Sequence, residues 1–133
     1  MLENKTKQKM GENSKPIVYS CHGCCNLAQM AHNVSLNLDD DGIAEMSCVS
    51  GIVGKVIPIM ELAYSGRPLI VIDGCNLSCT KLCLQVGNLQ PDFYYQISDL
   101  GFERHVKCDD SLTENAIAIK SIYDQLYKEG IGF

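Results

Sequence analysis

Apolar residues recur along this chain in two rhythms. Short unbroken runs, Ile17-Val18-Tyr19 and Leu69-Ile70-Val71-Ile72, read as buried strands. Ile43 to Val49 and Phe93 to Ile97 read as two further strands, and Phe102 to Val106 as either a short fifth strand or a loop. Between them the period lengthens to that of a helix. Leu27, Met30, Ala31, Val34 and Leu38 keep it until Asp39-Asp40-Asp41-Gly42 breaks it. Gly51-Ile52-Val53-Gly54 reads as a close-approach turn, and Pro58 as part of the first turn of a helix that stops before Gly66.

A third helix carries Cys79, Leu82, Cys83 and Val86, with Asn76 or Ser78 as its cap and Gly87 as its stop. The last helix starts at a capping box, Ser111 with Glu114, and lines Leu112, Ala116, Ile119, Tyr123 and Leu126 along one face. Strands alternating with helices require crossovers. The expected fold class is therefore α/β: a small three-layer sandwich with a mostly parallel sheet of four to five strands and helices on both faces. Residues 1–15 are polar and without period and read as a disordered tail; residues 16–133 read as a single domain.

Composition narrows the function classes. The 133 residues suffice for a core without a metal to replace it. The net charge is -5, from 11 basic and 16 acidic residues with no basic stripe, which argues against a nucleic-acid partner. No apolar run reaches the roughly 20 residues of a membrane span, and the polar, lysine-rich start has no secretory core. The expected location is cytoplasmic, where thiols stay reduced.

That expectation gives the eight cysteines their interest, because disulfide scaffolding is then the wrong explanation for them. Cys21, Cys24 and Cys25 follow the first strand, Cys48 the second, and Cys75, Cys79 and Cys83 the third. In open α/β sheets ligands collect at the carboxyl ends of the strands. Thiols delivered there by three segments suit a soft metal, and zinc is the expected cofactor. Cys21-His22-Gly23-Cys24 has the spacing for two thiolates to grip one ion, with Gly23 easing the turn. Cys48 and Cys75 complete four ligands, and Cys79 competes for the fourth place. Cys79 near a helix N-terminus is also expected to have a lowered thiol pKa.

Other residues have plainer readings. Asp73, ending a buried strand, serves either a turn N–H or a reaction. His22 could bind metal or carry protons, and His32 is expected to face solvent. Cys25 and Cys83 suit the core, Cys108 stands apart, and Tyr94 and Tyr95 read as strand packing. Phosphate-loop, dinucleotide, zincin and nucleophile-elbow motifs are absent.

Asp73-Gly74-Cys75, continued as Asn76-Leu77-Ser78-Cys79, resembles the signature of the DGC domain, a family of small proteins described as zinc-binding. The likeness extends through Ser20-Cys21, Met46-Ser47-Cys48, the Gly51 to Gly54 turn and Ser98-Asp99-Leu100-Gly101. It implies four chelating cysteines matching Cys21, Cys48, Cys75 and Cys79, where spacing alone favours Cys24 over Cys79. Asn76 replaces the proline usual after the motif. The resemblance implies no particular reaction, and no catalytic residue is assigned.

The leading expectation is thus a zinc-binding domain with ligands among Cys21, Cys24, Cys48, Cys75 and Cys79. The alternative is a thiol–disulfide or iron–sulfur redox protein using Cys21/Cys24 and Cys75/Cys79. Hydrolysis at an open zinc position and a domain that docks a protein partner complete the set.

Overall fold

The computed structural model describes residues 15–23, 25–106 and 111–132. The tail expected over residues 1–15 lies, Lys15 apart, outside the described residues, as do Cys24 and Cys108. Four strands form one sheet: β1 (Ile17–Ser20), β2 (Glu45–Met46), β3 (Leu69–Asp73) and β4 (Phe93–Gln96). Their order is β2-β1-β3-β4 and every neighbouring pair is parallel. Helices α1 (Asn26–Asp40), α2 (Val49–Val53), α3 (Ile57–Ala63), α4 (Cys79–Val86) and α5 (Leu112–Lys128) fill the connections, and a 3-10 turn covers Ile97–Leu100. This is the expected α/β sandwich.

Side chains alternate across the sheet and so divide the core in two. Val18, Ile70, Ile72 and Phe93 point to one side, where Leu27, Met30, Ala31, Val34 and Leu38 of α1 meet Ala118, Ile122 and Leu126 of α5. Ile17, Tyr19, Leu69 and Val71 point to the other, against Ile52, Ala63 and Leu84 of α2, α3 and α4. All five residues of β3 are buried, which explains their unbroken apolar run.

Several boundaries differ from expectation for local reasons. The second strand is only two residues long, because Val49 already opens α2. Gly51 sits inside α2, where a side chain would collide with Ile59; close approach was the right reading, in a helix rather than a turn. Residues 102–106 form a loop instead of a fifth strand. Asn26 holds it, accepting from His105 N at 2.6 Å and donating to the Glu103 carbonyl at 2.8 Å.

The capping box of α5 is present, with Glu114 N–H donating to Ser111 Oγ at 3.0 Å. The buried stripe of that helix is rotated, however. It runs through Asn115, Ala118, Ile122 and Leu126, while Leu112 is 91% exposed. Asn115 faces inward because its side chain accepts from Asn33 of α1 at 2.9 Å.

Candidate functional site

The order β2-β1-β3-β4 reverses direction between β1 and β3, and the ends of those strands bring Cys21 beside the Asp73-Gly74-Cys75 turn. The ladder carries on past the strands. Cys21 N donates to the Ile72 carbonyl at 3.2 Å, and Gly74 N returns a bond to Cys21 Sγ at 3.2 Å. The thiol is thus a hydrogen-bond acceptor for the turn. Burial pushes its pKa up to about 11, against the opposing pull of the Gly74 N–H. Asp73, Cys25 and Cys79 push the same way as burial.

Asp73 is 1% exposed and accepts three hydrogen bonds. Thr80 N donates to Oδ1 at 2.9 Å, and Lys81 N to Oδ2 at 3.2 Å. The Tyr94 hydroxyl donates to Oδ2 at 3.0 Å, while Ser78 Oγ lies 3.0 Å from the same hydroxyl. Ser78 occupies the N-cap position of α4 but has a left-handed backbone and makes no side-chain cap. Asp73 caps the helix in its place, satisfying two of the first-turn N–H groups that a helix leaves unpaired. The turn reading of Asp73 therefore holds. Three donors hold the carboxylate in place, two of them on Oδ2.

Gly74 is required by contact. A Cβ there would lie 2.6 Å from Ala28 N and 2.7 Å from Leu27 C, backbone atoms that cannot move aside. The first turn of α1 crosses the end of β3 at this point. Cys25 caps that turn, its sulfur accepting from Ala28 N at 3.4 Å. Gly23 is different: a Cβ there would make ordinary contact with Ala28 Cβ at 3.5 Å, so its turn does not depend on glycine.

The remaining thiols differ in their surroundings. Cys75 is half-buried against the α1–α5 core, whereas Cys79 lies exposed in the first turn of α4. Cys83, one turn further on, is half-buried. Cys48 follows the edge strand β2, exposed, its sulfur 2.8 Å from Ser50 Oγ. That hydroxyl, helped by the N–H groups of Gly51 and Ser50, lowers the Cys48 pKa. Cys79 goes the other way. Burial and then the Asp73 carboxylate raise its pKa, followed by Cys75 and Cys83, which overturns the lowering expected from the helix N-terminus. The N–H groups of Thr80 and Lys81 are already bonded to Asp73, whose negative charge dominates locally.

These placements correct the metal reading. Among the described residues, no group of three or more His, Cys, Asp or Glu side chains could hold a metal ion. Cys21, Cys48, Cys75 and Cys79 do not assemble as a ligand set, and Cys24 lies outside the described residues. Zinc as cofactor is therefore withdrawn, and the redox alternative with it. The six described cysteines are free thiols, and the raised pKa values of Cys21 and Cys79 are opposite to those of poised redox pairs.

His32 is half-buried, not solvent-facing, its ring 4.9 Å from that of His22. Burial and then the His22 charge lower its pKa. Two roles were missed in sequence. Tyr94 belongs to the Asp73 cluster, which only the β3–β4 register reveals. Cys25 is a helix cap, a role its place immediately before the helical period could have suggested. Among the described residues, no helix is long and apolar enough to cross a membrane.

Comparison with known proteins agrees with the motif geometry. Residues 17–122 match the DGC domain. A Pseudomonas aeruginosa protein named anaerobic and virulence modulator AnvM is 42% identical over 89 residues, covering 67% of this chain and 68% of that relative. No solved structure matches. With its Asp capping α4, its Gly admitting α1 and its Cys packed below, the chain belongs to the DGC-domain family.

Proposed function

We propose that this chain is a regulatory docking domain, with residues 16–133 acting as one unit that binds a protein partner through its α2–α3–α4 layer. The carrying observation is the exposed apolar surface of that layer. Val53, Val56 and Ile57 crowd the α2–α3 turn, and Ile57 is 69% exposed. The ends of α3 and α4 meet where the Tyr64 hydroxyl bonds the Gly87 carbonyl, which sets exposed Tyr64 beside Val86, itself 70% exposed.

The three helices carry one acid, Glu61, and one base, Lys81, and the α2–α3 turn adds one exposed base, Lys55. An apolar, charge-poor patch is the composition of an interface core, not of a solvated face. The strand-end residues support the same reading, since Asp73, Cys21 and Cys25 are engaged in capping backbone groups. The P. aeruginosa relative is named a modulator, and modulation by contact requires such a surface.

Photo-crosslinking in native cells tests this. A photoreactive residue at position 57 or 86 should yield the same discrete adduct, absent when the residue is placed at exposed position 112 on α5. Absence of an adduct, or the same adducts from position 112, would reject the proposal.

A further inference from the structure

The sheet has a second surface suited to a partner, remote in kind from the apolar layer: the free edge of β4. Asp92 N donates to the Leu69 carbonyl at 2.8 Å and Ser98 N to the Gly74 carbonyl at 2.9 Å. Backbone groups alternate along a strand, so Tyr94 and Gln96 also face β3, and the amides of Phe93 and Tyr95 face outward. Among the described residues no strand pairs with that side. Edge strands are usually guarded by charge, proline or a bulge. Phe93-Tyr94-Tyr95-Gln96 contains neither charge nor proline.

A small, shallow, open pocket lies beside this strand. Tyr94, whose ring packs with the α2–α4 side, and Tyr95, which packs with the α1–α5 side, both line it. Residues from both faces of β4 thus meet the following 3-10 turn and α5 around one opening. Gln96, Asp99, Ile122 and Gln125 contribute to its wall. The amide nitrogens of the two glutamines are held by serines, Gln96 Nε2 donating to Ser98 Oγ at 2.7 Å and Gln125 Nε2 to Ser121 Oγ at 3.3 Å. Gln96 Oε1 accepts from the Tyr94 hydroxyl at 3.4 Å and keeps a second lone pair for a further donor. Among the described residues Asp99 is the one charged residue of the wall, and no Lys or Arg contributes. Lys81 sits outside it, its ammonium 4.8 Å from the Tyr94 ring centre. The carboxylates of Asp99 and Glu129 also act on Tyr94 and Tyr95, adding to the effect of burial in raising their pKa values. The site is rich in acceptors and negative, on a chain of net charge -5.

The geometry points to the β4 edge as a docking strand for an extended segment of a partner protein, which adds to the sheet through Phe93 and Tyr95 and places a lysine or arginine side chain in the cavity beside Asp99. This goes beyond the proposed function, because it uses none of the α2–α3–α4 surface.

The test is an amide NMR titration of the full chain with a pool of peptides of about eight residues, β-prone and with a fixed central lysine. A matched pool has a central glutamate. The Phe93 and Tyr95 amides should shift and gain exchange protection, and the lysine pool should bind about fivefold more tightly, the size of one partly exposed ion pair. Asp99→Asn should bring the two pools within about twofold. Ile57→Lys should change neither result, although it would disrupt docking at the apolar layer. Four outcomes would overturn the inference: no shift at Phe93 and Tyr95, no charge preference, equal binding of lysine amide alone, or protection of the same amides by rising protein concentration without peptide. The third would indicate a small-molecule pocket, and the fourth a second copy of the chain.

Discussion

The carboxylate of Asp73 accepts the backbone N–H of Thr80 at 2.9 Å, so the last residue of β3 caps a helix on the far side of the intervening turn. This bond, with those to Lys81 and Tyr94, ties strand, helix and edge strand together at one buried group. Asp73→Ala should cost about 2–4 kcal/mol, because it removes a cap and leaves buried donors unpaired. Asp73→Asn should cost about half as much, since its carbonyl oxygen still accepts. Urea unfolding midpoints measure both. Equal stability of all three proteins would mean that the cap contributes nothing.

Gly74→Ala should destabilise by about 3 kcal/mol, because the added methyl meets α1 backbone at 2.6 Å. Gly23→Ala should stay within about 0.5 kcal/mol, its methyl finding ordinary contact. Thermal melts of the pair separate a steric role for glycine from a conformational one.

The thiols should differ in reactivity in an order set by their surroundings. Near neutral pH, iodoacetamide should label exposed Cys48 first among the described cysteines, since Ser50 favours its thiolate. Cys21 should be last of the described cysteines, buried and with its pKa pushed up to about 11. Raising the pH to about 9 should accelerate Cys79 more than Cys48, whose thiolate is already the more populated. Mass spectrometry of timed digests reads the order.

Acid should weaken the fold through His32. In the unfolded chain His32 titrates at its ordinary 6.5; in the fold, burial and His22 lower that value. The unfolded state therefore binds more protons as the pH falls below about 6.5, and stability declines with it. His32→Gln should flatten the dependence of melting temperature on pH between about 7 and 5. An unchanged slope would place the dependence on other groups.

Chelation should leave the fold intact. Overnight EDTA should move the melting temperature by less than about 1 °C, since no described ligand cluster couples metal to folding. A drop of several degrees would restore a structural metal.

Much of the fold was legible because it rests on periods that one chain segment carries by itself. The α1 stripe of Leu27, Met30, Ala31, Val34 and Leu38 is buried residue for residue, and β3 is covered on both faces as its apolar run requires. On α5 the expected Ile119, Tyr123 and Leu126 pack on the core, but Leu112 does not, and Asn115, polar by itself, is drawn inward by Asn33 across the layer. The β2 strand is shorter than its apolar run because α2 takes over at Val49.

The candidate site shows the limit more sharply. Residue types and their place near the strand ends could be read along the chain, and so could the DGC motif. Which atoms meet there could not. A thiol can ligate a metal, accept an N–H or pack in a core, and the same spacing permits all three. The alternation of strands and helices is legible along the chain, because it depends on local period and burial preference. Folding in three dimensions is what gives Cys21 the Gly74 N–H, gives Asp73 those of Thr80 and Lys81, and buries Cys75 by half while leaving Cys79 exposed. Hydrogen-bond partners depend on angstrom-scale distances between segments distant in the chain, and no local pattern encodes those distances.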